Sequence, residues 1–323
     1  MSSSTQASNQ DGATLRDQVR SAVIWRSGTQ ILGQLITWAS TFLVIRLLSP
    51  SDYGLYAMTA AVLGLLTLVN GYGLANALIQ KREVTPHLLR QLFGMLIVLN
   101  VALAAIQFIA APFVAAYYGH PLLTDMLRVQ SLIYLTNPFL ALGYAVLSRE
   151  MDFRKQAQVN LVSGILAALA ALAGALAGLG VWTLVIAPLV GFGTRAFGTA
   201  FAARVFIRPT FRFDGAWSLA RYGSIVAVGE FFWFVQTQSD VVIAGRVLDP
   251  HMLGIYTTAL FLTQMFVTKF VPPLNEVAFS AYARVQDDRE AMARGFLKAV
   301  RIIMLVGIPF CLGLAARDRK SVV

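Results

Sequence analysis

The sequence is poor in charge, poor in histidine and almost free of cysteine, and each shortage removes a class of protein. Charged residues are only 13% of the 323-residue chain, against about 25% in a soluble domain. Cys311 is the single cysteine, which excludes a disulfide framework and a thiolate metal cluster. His87, His120 and His251 are the only histidines and stand far apart, so neither a metal site nor a metal cofactor is expected. No G-x-x-x-x-G-K-[ST] phosphate loop occurs. No basic stretch leads directly into a short apolar core with a small-residue cleavage site, so no cleaved signal peptide is read.

What is present in excess is apolar surface, with 57% hydrophobic residues and a mean hydropathy of +0.65. It falls in runs near the ~20 residues a helix needs to span hydrocarbon. Nine are read, over about 21–45, 55–79, 92–117, 129–147, 159–179, 181–205, 222–245, 254–279 and 296–316. Membrane strands need only about 9–11 residues with strict alternation; these runs are longer and apolar nearly all round, so the expected fold is an all-α polytopic membrane protein. A tight turn at Gly180 joins the fifth and sixth runs. Gly174 and Gly178 make a small-xxx-small pair in the fifth, read as ordinary helix packing. Residues 1–20, polar at the start, read as a disordered cytoplasmic tail.

The net charge of +10 does not point to nucleic acid, because the basic residues sit at the ends of apolar runs. One set of loops holds Arg16, Arg20 and Arg26; Lys81, Arg82 and Arg90; Arg149, Arg154 and Lys155; Arg204, Arg208, Arg212 and Arg221; and Arg284, Arg289, Arg294, Lys298 and Arg301. The alternate loops hold Arg46, Arg128 and Arg246. Lys and Arg resist translocation, so this asymmetry puts the N-terminus in the cytoplasm.

The chain also repeats itself at an offset of 200 residues. Arg46-Leu47-Leu48-Ser49-Pro50 with Gly54-Leu55-Tyr56 returns as Arg246-Val247-Leu248-Asp249-Pro250 with Gly254-Ile255-Tyr256. Six predicted helices separate the copies, an even number, as in parallel repeats of transporters built from two related halves. The expected division is a six-helix lobe over 21–208 and the first three helices of a second lobe over 209–317. A half-lobe reads as the front of a longer protein, and the closing residues 318–323 (Asp-Arg-Lys-Ser-Val-Val) read as translated sequencing adapter.

The stretch Leu48-Ser49-Pro50-Ser51-Asp52-Tyr53-Gly54-Leu55-Tyr56, followed by Gly71-Tyr72-Gly73-Leu74-Ala75-Asn76-Ala77-Leu78-Ile79-Gln80, resembles the opening of bacterial polysaccharide-export flippases. Arg149-Glu150-Met151-Asp152-Phe153-Arg154, Asp240 to Arg246 and Ala278 to Gln286 extend the resemblance. It is a resemblance to the polysaccharide transporter branch of the multidrug/oligosaccharidyl-lipid/polysaccharide exporter superfamily. It implies two six-helix lobes around a cavity that opens alternately to each side of a bacterial inner membrane. It also implies an undecaprenyl-diphosphate-linked oligosaccharide as substrate and no ATPase. Membrane lipids, a polysaccharide polymerase and glycosyltransferases are the partners it implies. A drug/cation antiporter of the same superfamily is the alternative within transporters. A sugar polymerase or ligase is the alternative among enzymes, disfavoured by short external loops without an acid/base cluster.

Carrying a diphosphate head group through hydrocarbon requires a polar path. Arg26, Gln30, Gln34, Thr37 and Thr41 fall on one stripe of the first helix, within about an 80° arc at 100° per residue. In the seventh helix Trp233, Gln236 and Asp240 share a face, and Glu230 lies a turn earlier. An intramembrane carboxylate points to ion coupling or to a buried ion pair. Lys269 precedes Pro272-Pro273 in the eighth helix, where it can hold a diphosphate or pair with Asp240.

Overall fold

A computed structural model of the chain describes residues 35–68, 84–150, 152–205, 207–211 and 217–264, with Gly33, Leu78 and scattered positions between 293 and 313. All regular structure among them is α-helical. In chain order the helices are α1 (Leu35–Leu47), α2 (Pro50–Thr67), α3 (Pro86–Tyr118), α4 (Leu122–Gln130), α5 (Leu132–Arg149), α6 (Phe153–Leu176), α7 (Val181–Ala202), α8 (Trp217–Val247) and α9 (250–264). Residues up to Gly254 form one compact unit, and a second begins at Ile255. Among the described residues four spans are long and apolar enough to cross a membrane: Pro86–Tyr118, Leu122–Arg149, Arg154–Leu176 and Val181–Ala202. The 33 residues of α3 extend for about 50 Å, well beyond the ~30 Å hydrocarbon layer.

Local chemistry sets the ends of these helices. Ser49 caps α2 through a capping box with Asp52, and Pro50 opens the first turn. The helix therefore starts at Pro50, earlier than the apolar run alone implies. Thr85 caps α3 by accepting from the Leu88 amide at 3.2 Å, and Gly119 at φ 76° ends it. The fourth apolar run is α5, preceded by the short α4 across a turn at Ser131.

Asp152 caps α6, accepting from the Lys155 amide at 3.1 Å and pairing with its ammonium at 2.8 Å. That side-chain bond to Lys155 holds the Asp152 carboxyl below its ordinary range.

Helices α6 and α7 form an antiparallel hairpin turned by Gly178 and Gly180, both at positive φ. Small residues line its seam in register. A Cβ on Gly174 would lie 3.0 Å from Thr183, on Gly191 3.0 Å from Ala167, and on Gly198 3.0 Å from Val159. Gly174 is thus a packing residue, as expected, whereas Gly178 lies beyond the end of α6 and supplies the turn.

Two apolar clusters hold the first unit together. One joins Leu88, Leu92 and Leu96 of α3 to Ala141, Leu142 and Ala145 of α5, with Phe93 stacked edge-on against Phe139 at 5.4 Å. The other joins Met58 of α2, Ala115 and Tyr118 of α3, Leu123 and Met126 of α4, and Val181 and Val185 of α7. Arg149 donates to the Leu78 carbonyl at 3.0 Å, so two of the segments that carry the family resemblance meet.

Candidate functional site

The two copies of the internal repeat adopt the same local structure. Each is a helix, a bend at residue 48 or 248, one non-helical residue at 49 or 249, and a new helix opening on proline. Ser49 caps the first through Asp52, and Asp249 accepts from the Met252 amide at 2.8 Å in the second. These elbows touch each other. A Cβ on Gly54 would stand 1.9 Å from the Pro250 carbonyl oxygen, and one on Gly254 would stand 1.7 Å from that of Pro50. The contact is reciprocal. Neither glycine has positive φ, so the reason for glycine is space and not backbone freedom.

Helix α8 reaches this crossing along α2. Its packing face carries Phe234 against Gly64, buried Val241, and Gly245 against Tyr118 and Met58. Arg246, the last basic residue of α8, donates to the Tyr117 carbonyl and lies 5.4 Å from the centre of that tyrosine ring.

On a different face of α8 stand Trp233, 61% exposed, with Gln236 and Asp240, both exposed. The structure thus brings these three predicted residues onto one uncovered face, a stripe of about 60° at 100° per residue. Glu230 falls within α8, but its side chain lies outside the described residues. On α1, Thr37 is exposed and donates to the Gly33 carbonyl at 2.8 Å, and Thr41 is half-buried. The partner of α1 is α6, where the Ala168 carbonyl accepts from Ser40 at 3.2 Å. Arg26, Gln30, Gln34 and Lys269 lie outside the described residues.

The sequence reading missed a second polar feature. Between the two apolar clusters runs a buried ladder of amides and hydroxyls. Asn137 donates to Asn100 at 3.0 Å, Tyr134 to Gln107 at 3.1 Å, and Gln130 to Thr59 at 3.0 Å. Gln107 in turn donates to the Leu127 carbonyl at 2.8 Å, while Oε1 of Gln130 has no partner among the described residues. The signal in the sequence is spacing: Asn100 and Gln107 recur at i, i+7, and Gln130, Tyr134 and Asn137 at i, i+4, i+7, which is one helix face. A cavity of about 260 Å³, lined by Leu63, Thr67, Tyr134, Asn137 and Phe192 among others, adjoins the ladder.

The sequence pattern of the family described as polysaccharide biosynthesis protein matches residues 43–322. The succinoglycan biosynthesis transport protein ExoT of Rhizobium meliloti is 25% identical over 293 residues, covering 90% of this chain and 59% of ExoT. The lipopolysaccharide biosynthesis protein WzxC of Escherichia coli is 21% identical over 308 residues, covering 93% of this chain and 62% of WzxC. The teichuronic acid biosynthesis protein TuaB of Bacillus subtilis is 23% identical over 252 residues, covering 77% of this chain and 52% of TuaB. The chain thus spans less than two thirds of the length of these curated relatives. No solved structure matches it.

Proposed function

This chain belongs to the polysaccharide biosynthesis protein family, and from that membership we propose that it forms part of a flippase. The flippase moves a lipid-linked oligosaccharide across a bacterial inner membrane by alternating access. The observation that carries the reading is the match over residues 43–322, together with relatives named as transport and polysaccharide or lipopolysaccharide biosynthesis proteins. The whole protein is a transporter and not an enzyme, with nine helices in this chain, its N-terminus in the cytoplasm, and two lobes related by the repeat. The matching elbows and the uneven distribution of Lys and Arg support that arrangement.

The passage runs between α1 and α8. Polar groups on an otherwise apolar helix are costly against lipid, so the face of Trp233, Gln236 and Asp240 is best accommodated against water or substrate. Thr37 and Thr41, with Arg26, Gln30 and Gln34, form the opposing wall. Lys269 and the arginines neutralise the diphosphate, and Asp240, with Glu230, serves ion coupling or pairs with a cation.

The test is complementation, by the full-length protein, of a strain lacking its flippase, scoring export and the lipid-linked intermediate retained inside. Asp240→Asn is expected to lower transport at least tenfold while membrane abundance stays at the parent level. Parent-level transport by Asp240→Asn overturns the role of the carboxylate. Recovery in the double variant Asp240→Asn with Lys269→Met reduces it to a structural pair.

A further inference from the structure

We infer that the crossing of the two elbows, Pro50–Gly54 on Pro250–Gly254, is the outer seal of the passage, opening and closing by making and breaking one glycine-dependent backbone contact. The inference rests on the proposed reading in taking the passage to lie between α1 and α8 and the elbows to face outward.

Three observations carry it. First, α1 and α8 each run directly into one of the two elbows, so whatever lies between these helices ends at the crossing. Second, the crossing leaves no room for side chains at its centre. The obstacle to a Cβ on either glycine is a backbone carbonyl, which cannot swing aside as a flexible side-chain tip can. A Cβ on Gly254 would also stand 3.0 Å from the Gly54 amide nitrogen. Close approach of two helices through small residues suits packing in lipid, where backbones that touch leave no channel for water. Third, the second elbow is latched beside the crossing. Arg246 grips the carbonyl and ring of Tyr117, and a Cβ on Gly245 would meet the Tyr118 ring at 2.7 Å.

The same contacts explain how the seal can open. Beside the crossing Leu253 is buried in the second apolar cluster, and Arg246 latches onto Tyr117 at the end of α3. Rigid helical bodies that rotate about such a contact separate at it first, because packed interfaces switch between arrangements and do not deform continuously. Asp240 and Gln236 lie about 12 and 18 Å below the bend at residue 248, at 1.5 Å per residue, so parting the elbows exposes them to the outside.

The experiment reads accessibility and needs no substrate. In the full-length protein, freed of other cysteines by changes including Cys311→Ala, Gln236→Cys is labelled with a membrane-impermeant maleimide. The reagent is added to spheroplasts from outside, or to inverted vesicles from inside. The parent is expected to label at least tenfold faster from inside. Gly54→Leu or Gly254→Leu wedges the crossing and is expected to raise outside labelling at least tenfold. Should a leucine variant fail to reach the membrane, Arg246→Ala removes the latch without adding bulk and is expected to raise outside labelling severalfold. Outside labelling that stays at the parent level in variants present in the membrane overturns the seal, as does a parent labelled equally from both sides. Labelling as expected, alongside a protein with Gln236 in place that moves no lipid-linked oligosaccharide, sinks the flippase reading and leaves the seal standing.

Discussion

Two sets of polar residues sit within apolar helices of this chain, and the environments they occupy differ. Asn100, Gln107, Gln130, Tyr134 and Asn137 are buried between α2, α3, α4 and α5 and bond to one another, to Thr59 and to backbone carbonyls. Trp233, Gln236 and Asp240 stand on an uncovered face of α8. A buried amide that finds a partner contributes modestly, whereas one stripped of its partner costs its full desolvation. The ladder therefore fixes the first unit in one arrangement. The α8 face is exposed along Trp233, Gln236 and Asp240, and the proposed passage gives that polarity a use.

The largest expected effect separates these roles. Asn137→Leu removes the donor from which the Asn100 side-chain oxygen accepts at 3.0 Å, at a cost of about 1–3 kcal/mol. The effect is expected as a lowered unfolding midpoint in detergent, with transport per folded molecule unchanged. Adding Asn100→Leu removes both partners and is expected to recover most of that loss, leaving a coupling of about 0.6–1.7 kcal/mol as found between membrane helices. If the double variant is as unstable as the sum of the two singles, the ladder is not a set of pairs.

Gln236→Leu sharpens the contrast from the other side. The side chain is exposed and on no packing face, so its stability effect is expected within about 0.5 kcal/mol, while transport in the complementation assay falls severalfold. A stability loss matching that of Asn137→Leu, with transport intact, would erase the distinction between the two regions.

The parts of this structure that were legible in the sequence are those written in local chemistry. The hairpin of α6 and α7 follows from Gly180, which turns the chain where it stands. The starts of α2, α3 and α6 were misplaced because hydropathy was weighed above the caps of Ser49, Thr85 and Asp152. The α8 stripe was legible because three polar residues share one helical period. The ladder was not. A lone Asn or Gln barely alters the hydropathy of an apolar run, and its partner lies 37, 27 or 71 residues away. The elbows were visible as a repeat, but their mutual contact spans 200 residues and lies in no local pattern.

The smallest expected effect concerns a polar group outside both regions, at the start of α6. Asp152 accepts from the Lys155 amide at 3.1 Å and pairs with its ammonium at 2.8 Å, and its folded carboxyl titrates below the ordinary 3.8. A depressed folded value means that the unfolded chain takes up the proton first. The stabilisation is therefore fully present above the unfolded value and is lost as pH falls through the folded one. The pair is largely solvated, so it contributes about 0.2–1 kcal/mol. Asp152→Asn keeps a good N-cap and removes only the charge, whereas Asp152→Ala removes both and is expected to cost about 0.5–2 kcal/mol. Unfolding measured at neutral pH and again near pH 3 is expected to show the parent's advantage over Asp152→Asn shrinking toward acid, while the deficit of Asp152→Ala relative to Asp152→Asn persists. An advantage over Asn that does not change with pH would mean that the ion pair contributes nothing and that Asp152 is a cap alone.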